Sequence, residues 1–156
     1  MPRAHVIRST FSCAMFGLLL LLAQHVFGQQ VFPPGTFSID GIPVSCGYNI
    51  TVLNPQLPDV GMNDLRGHIY INPYIMGMQP TSLKLFWYAH ECGHSVVGAN
   101  ESAADCWAIK LGRQQGWFTP ANFPALLRLF ANNPGDWTHL PGPARVRAIE
   151  QCYVTP

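Results

Sequence analysis

The chain has 156 residues and a formal charge of +1, from nine Lys and Arg against eight Asp and Glu, a length that suits one domain. Only 11% of its residues are charged, so it carries neither the basic footprint of a nucleic-acid partner nor the charge runs of a solvated tail.

The amino terminus reads as a leader. Arg3 and Arg8 precede the apolar run "FSCAMFGLLLLLA" (11–23), and Val26 and Gly28 then occupy the small-residue positions of a signal-peptidase site. That run of about 13 residues is short of the roughly 20 that span a bilayer, which favours cleavage near Gly28 over retention as an anchor. Residues 1–28 are therefore expected to be a signal peptide. Residues 29–156 would be an exported domain with no membrane span, periplasmic or extracellular. Without Arg3 and Arg8 the nine basic side chains fall to seven, against eight acidic ones.

Cys13 leaves with the leader, and Cys46, Cys92, Cys106 and Cys152 remain. Four cysteines in a small exported domain predict two disulfides, with all three connectivities open. A four-thiolate zinc site is the alternative, but no Cys-x-x-Cys pair supports it.

Residues 29–80 are rich in Pro and Gly and contain the β-type runs "YNITVL" (48–53) and "HIYIN" (68–72), so strands and turns are expected there. The pattern becomes helical after Pro80. Thr81 opens a helix to about Val97 that Gly98 stops, and a second helix spans 101–115 and closes at Gly116. A third helix fits 120–131, between "TP" and "NNPG", and "PGPARVRAIEQCY" (141–153) makes a fourth. The expected fold is a small single α+β domain of short N-terminal strands followed by about four helices. Trp87, Trp107 and Trp117 fall at helical positions and are assigned to the core.

The chemistry is concentrated in "YAHECGHSVVGANESAAD" (88–105). His90 and His94 lie about 40° apart on a helix and one turn along, so both imidazoles can reach one cation. Glu91, beside them, is placed to move the proton of a metal-bound water. With six histidines and three glutamates in the chain, chance gives a His-Glu-x-x-His in only about 0.4% of such sequences, so accident is a poor explanation. On an unbroken helix Glu101 would sit about 10.5 Å beyond His94, too far to share an ion bound at about 2 Å. The helix must break. Gly98 can end it in a left-handed conformation, Asn100 can cap the next, and Glu101 then enters as third ligand. Asp105 follows one turn later, able to hold a ligand histidine in place. Asp105 and His139 are the alternatives for the third ligand. The sequons "NIT" at 49 and "NES" at 100 are read as coincidental, since a glycan on Asn100 would crowd the site.

His90-Glu91-Cys92-Gly93-His94 followed by Glu101-Ser-Ala-Ala-Asp105 resembles the gluzincin pattern of zinc peptidases. With "THLPGPARV" (138–146) it is most similar to the CAAX-prenyl-protease and HtpX-type endopeptidases, over roughly residues 68–150. The resemblance implies that His90, His94 and Glu101 bind Zn2+, with the site between the first two predicted helices. It implies that Glu91 is the catalytic base, that Asp105 and Arg145 support the ligands, and that His139 is a catalytic donor. It also makes "HIYIN" the candidate for the edge strand that such enzymes use to hold extended peptide, His68 itself being an exposed strand residue. The chain departs from the pattern in the short His94–Glu101 spacing, in Leu140 where proline is expected, and in lacking membrane helices. The expected function is an exported zinc metallopeptidase acting on a peptide or protein substrate. A non-catalytic, zinc-stabilised binding or structural module is the alternative, and Glu91 discriminates, because a structural site needs no base.

Overall fold

The computed structural model describes residues 28–156. Apart from Gly28, the expected signal peptide lies outside the described residues.

Six short strands come first: β1 (Gln30–Phe32), β2 (Phe37–Ile39), β3 (Ile42–Val44), β4 (Ile50–Leu53), β5 (Gly61–Asn63) and β6 (His68–Ile71). The helices are α1 (Pro73–Gly77), α2 (Thr81–Val97), α3 (Glu101–Gln115), α4 (Phe123–Phe130) and α5 (Gly142–Val154), with a 3-10 turn at Pro120–Asn122 ahead of α4. This is the α+β order expected, with one addition. The five-residue α1 starts where the Asn72 side chain accepts hydrogen bonds from Tyr74 N and Ile75 N, and Pro73 supplies a preset first turn.

The strands form a sheet of order β1-β4-β6-β5 and a separate β2-β3 hairpin. β4 and β6 run parallel, with Ile50 opposite His68, while β5 pairs antiparallel to β6, with Gly61 opposite Ile71. "HIYIN" is therefore not the edge. β6 has a strand on each side, and its alternate residues Ile69 and Ile71 are fully buried; the edges of the sheet are β1 and β5. His68 is partly buried and pairs with Asp64, Nδ1 to Oδ2 at 2.8 Å.

α2 lies between the sheet and the other helices, so it is buried on most sides, with His90, Glu91 and His94 among its buried residues. On one side Leu85, Tyr88 and Cys92 join Val60, Ile69 and Ile71; on the other Leu83, Phe86 and Ala89 join Ile109, Phe118, Leu126, Phe130, Val146 and Ile149. Trp87, Trp107 and Trp117 pack against both clusters, although Trp117 lies in the bend after α3 and not at the helical position expected.

Of the three open connectivities the structure has Cys46–Cys92 and Cys106–Cys152, each spanning 46 residues. The first ties α2 to the segment before β4; the second ties α3 to α5. In the chain-entropy model a loop of that size is worth about 4 kcal/mol per bridge. Among the described residues no helix is long and apolar enough to cross a membrane.

Candidate metal centre

The site begins with the break after α2. Gly98 N donates to His94 O at 2.9 Å, and Gly98 takes φ 71 and ψ −153. That is positive φ but not the left-handed helical well expected; it is an extended region that only glycine enters freely. The chain reverses through Ala99, and Asn100 Oδ1 accepts from Ala103 N at 3.0 Å to cap α3. Glu101 thus stands in the first turn of α3, Asp105 one turn later.

α2 and α3 can then close on each other because Gly93 has no side chain. A Cβ there would lie 3.2 Å from both the Cα and the carbonyl oxygen of Ala104, tighter than the about 3.5–4.0 Å of ordinary carbon contact. The small residues inside the two motifs set the separation of the helices that carry His90, His94 and Glu101.

The donor atoms of those three residues lie within 4.8 Å of one another, and the nearest atoms are closer. His90 Nε2 is 3.1 Å from Glu101 Oε2, His94 Nε2 is 3.4 Å from it, and the two Nε2 atoms are 3.2 Å apart. Bonds of about 2.0–2.1 Å in a tetrahedron put neighbouring ligand atoms about 3.3 Å apart. The three separations match that edge.

The protonation pattern points the same way. His94 Nδ1 lies 2.8 Å from the Gly98 carbonyl oxygen, which can only accept, so Nδ1 carries the proton and Nε2 presents a lone pair. His90 Nδ1 lies 2.8 Å from Asp105 Oδ1, a close charge contact not aligned as a hydrogen bond, and Nδ1 has no hydrogen-bond partner among the described residues. Glu101 Oε2 is also buried and without a hydrogen-bond partner, although the Nε2 atoms of His90, His94 and His139 surround it. The inward lone pair of His94 and the orphaned carboxylate oxygen are costly unless a proton or cation joins them. His90, His94 and Glu101 can hold a metal ion.

Without a cation the cluster takes up protons. Burial pushes the His90 imidazole down, but Asp105 and Glu101 outweigh this and raise it to about 9. The Glu101 contact also raises His94, against its burial. Burial would lift Glu101, yet the two histidines hold its carboxyl far below the usual range. Glu91 moves the other way: burial raises its carboxyl, and the charges of His90 and His94 only partly oppose this.

Behind His90, Arg145 grips Asp105 with two hydrogen bonds, Nε to Oδ2 at 2.7 Å and Nη2 to Oδ1 at 2.8 Å. Its guanidinium also lies 4.6 Å from the Phe130 ring centre and 5.7 Å from that of Trp87, within cation–π range. Burial would raise the Asp105 carboxyl, but Arg145 and His90 keep it below its ordinary value.

His139 reaches the centre from the loop between α4 and α5, its Nε2 2.9 Å from Glu101 Oε2. Asp136 organises that loop: Oδ1 accepts from Thr138 N at 2.7 Å and His139 N at 2.8 Å, and Oδ2 lies 3.1 Å from His139 Nδ1. Asp136 lies outside the site residues expected from the sequence, though aspartate ahead of Thr and His is the signal of a turn that bonds its own backbone. His90, His94, Glu101, His139 and Arg145 open onto one cleft of about 410 Å³, walled by Gly61, Met62 and Asn63 of β5, by Trp87, Glu91 and Phe130, and by Asn133 and Asp136.

No protein-family model, curated protein or solved structure matches the chain.

Proposed function

We propose that the protein is an exported zinc metallopeptidase of minimal gluzincin type, which hydrolyses peptide bonds in a peptide or protein substrate. The observation that carries this reading is Glu91, a buried carboxylate in the cleft beside the three donor residues. A structural zinc site needs ligands but no such base.

Two imidazoles and a carboxylate suit zinc with a position left for substrate or water, and both disulfides suit an oxidising compartment. When bound, zinc polarises a carbonyl and lowers the pKa of a water. His90, His94 and Glu101 would hold it; Asp105, kept charged by Arg145, steadies His90, and the Gly98 carbonyl fixes the His94 tautomer. Glu91 accepts the water's proton and delivers it to the leaving amine. His139, oriented by Asp136, donates toward the oxygen on which negative charge develops.

One observation favours the second reading, a zinc-stabilised module without turnover. His139 Nε2 lies 2.9 Å from Glu101 Oε2 and could close the set as a fourth donor. Incubation of the mature protein with a broad peptide library, with and without a chelator, separates the readings. Chelator-sensitive cleavage that Glu101→Ala abolishes supports the peptidase; tight zinc binding with no cleavage supports the module.

A further inference from the structure

β5 forms one wall of the cleft, and two of its three residues meet α2 around Glu91. A Cβ on Gly61 would stand 2.8 Å from both Cγ and Oε1 of Glu91 and 3.1 Å from its Cδ. Carbon atoms pack at about 3.5–4.0 Å, so no side chain fits at Gly61 while Glu91 keeps its place. Gly61 does not have positive φ. Space is what the position requires, not backbone freedom.

Two residues on, Asn63 joins the same strand to the same helix. Its Nδ2 donates to the Glu91 carbonyl oxygen at 2.6 Å and to Ser95 Oγ at 2.8 Å, while its Oδ1 accepts from Leu65 N at 2.7 Å. Ser95 Oγ in turn donates to Asn49 Oδ1 at 3.3 Å. β5 is the sheet's last strand, paired only with β6, so the Asn63 bridge pins its outer side to α2.

We infer that Gly61 and Asn63 form a seat for Glu91, with the bare backbone of β5 as the surface against which the carboxylate rests and Asn63 as the clamp that sets its distance. A glutamate has three side-chain torsions, and a base must lie within about 2.6–3.2 Å of the proton it takes. The seat removes that freedom on the β5 side. Gly61 and Asn63 are positioning residues: neither touches the donor atoms of His90, His94 or Glu101. The kinetic consequence rests on the metallopeptidase reading; the geometric one does not.

The test is Gly61→Ala. The added methyl group meets the end of a side chain, not backbone, so the fold can yield by turning Glu91 aside. Zinc affinity and melting temperature should stay near wild type, while kcat falls about 10²-fold with KM nearly unchanged, the usual cost of about 1 Å of misplacement. Combining it with Glu91→Gln should add no further loss. Asn63→Ala, which adds no bulk, should lower kcat in the same direction but less, and serves if Gly61→Ala does not fold. A crystal structure of the zinc-loaded Gly61→Ala protein should show the Glu91 carboxylate displaced and His90, His94 and Glu101 in place. An unmoved carboxylate, or full kcat in both variants, would overturn the inference. If the wild type cleaves nothing, the peptidase reading fails and the displaced or unmoved carboxylate alone decides the seat.

Discussion

Arg145 and Asp105 form a buried two-point pair, with separations of 2.7 and 2.8 Å, and the same aspartate faces His90 Nδ1 at 2.8 Å. A charge placed directly behind a histidine that can hold a metal ion links stability to metal affinity. Arg145→Met strands the Asp105 carboxylate, and breaking a buried pair from one side costs about 3–5 kcal/mol. It should also lower zinc affinity about 10–100-fold, the usual effect of losing support behind a ligand. Denaturant unfolding and zinc competition check the two parts. A stable variant with full zinc affinity would show that the pair does not support His90.

A proton on His90 would compete with the proposed metal. Its folded value is raised from 6.5 to about 9, so its contribution to the metal-free fold is complete below about pH 6.5 and is lost as pH rises through about 9. The metal-free protein should weaken across that window. Zinc affinity should climb over the same range, because the competing proton leaves. At pH 7, zinc uptake should release protons, measurable by calorimetry in two buffers of different ionisation enthalpy. A zinc affinity flat between pH 6.5 and 9 would contradict this.

The cysteines give a covalent check. Peptide mapping without reduction should recover Cys46 joined to Cys92 and Cys106 joined to Cys152, with no free thiol in the mature chain. Reduction should destabilise the fold by a few kcal/mol per bridge. Because Cys92 follows Glu91 and Cys106 follows Asp105, zinc affinity should fall with it. Four free thiols would also remove the support for export.

His139 and Asp136 should separate chemistry from metal binding. His139→Ala is expected to keep its zinc and to lose about 10²–10³ in kcat, with less change in KM, as for other donors to a developing oxyanion. Asp136→Asn, which leaves the imidazole present but less firmly held, should lose less. Zinc analysis with steady-state kinetics decides. Zinc loss from His139→Ala would make it a ligand, and unchanged kinetics in both variants would remove the loop from the mechanism.

Parts of this arrangement are legible in the residues alone because they depend on short-range chemistry. The ends of α2 and α3 follow from Gly98, Asn100 and Gly116, and the convergence on Glu101 follows from the distance an unbroken helix would impose. α1 is masked because its one signal, Asn72 before Pro73, sits in a stretch crowded with turn residues. β5 is harder still: "GMN" has no alternating pattern and begins with a poor strand former, and only its packing on α2 makes it a wall. The same dependence on tertiary order misplaces the edge at His68, since one strand cannot show what lies on either side of it. Asp136 acts through a local turn around His139, and the cystine pairing depends on how α2, α3 and α5 stack. The sheet edge and the cystine pairing have no fixed spacing to read.

In the proposed mechanism Glu91 does chemistry on a metal it does not hold. Glu91→Gln keeps the shape and removes the base, so zinc content and peptide cleavage measured on the same preparations test it most directly. Both proteins should hold about one zinc per chain, and the wild type should cleave peptide while Glu91→Gln does not. Equal cleavage by the two proteins, or zinc in both with cleavage by neither, would contradict it.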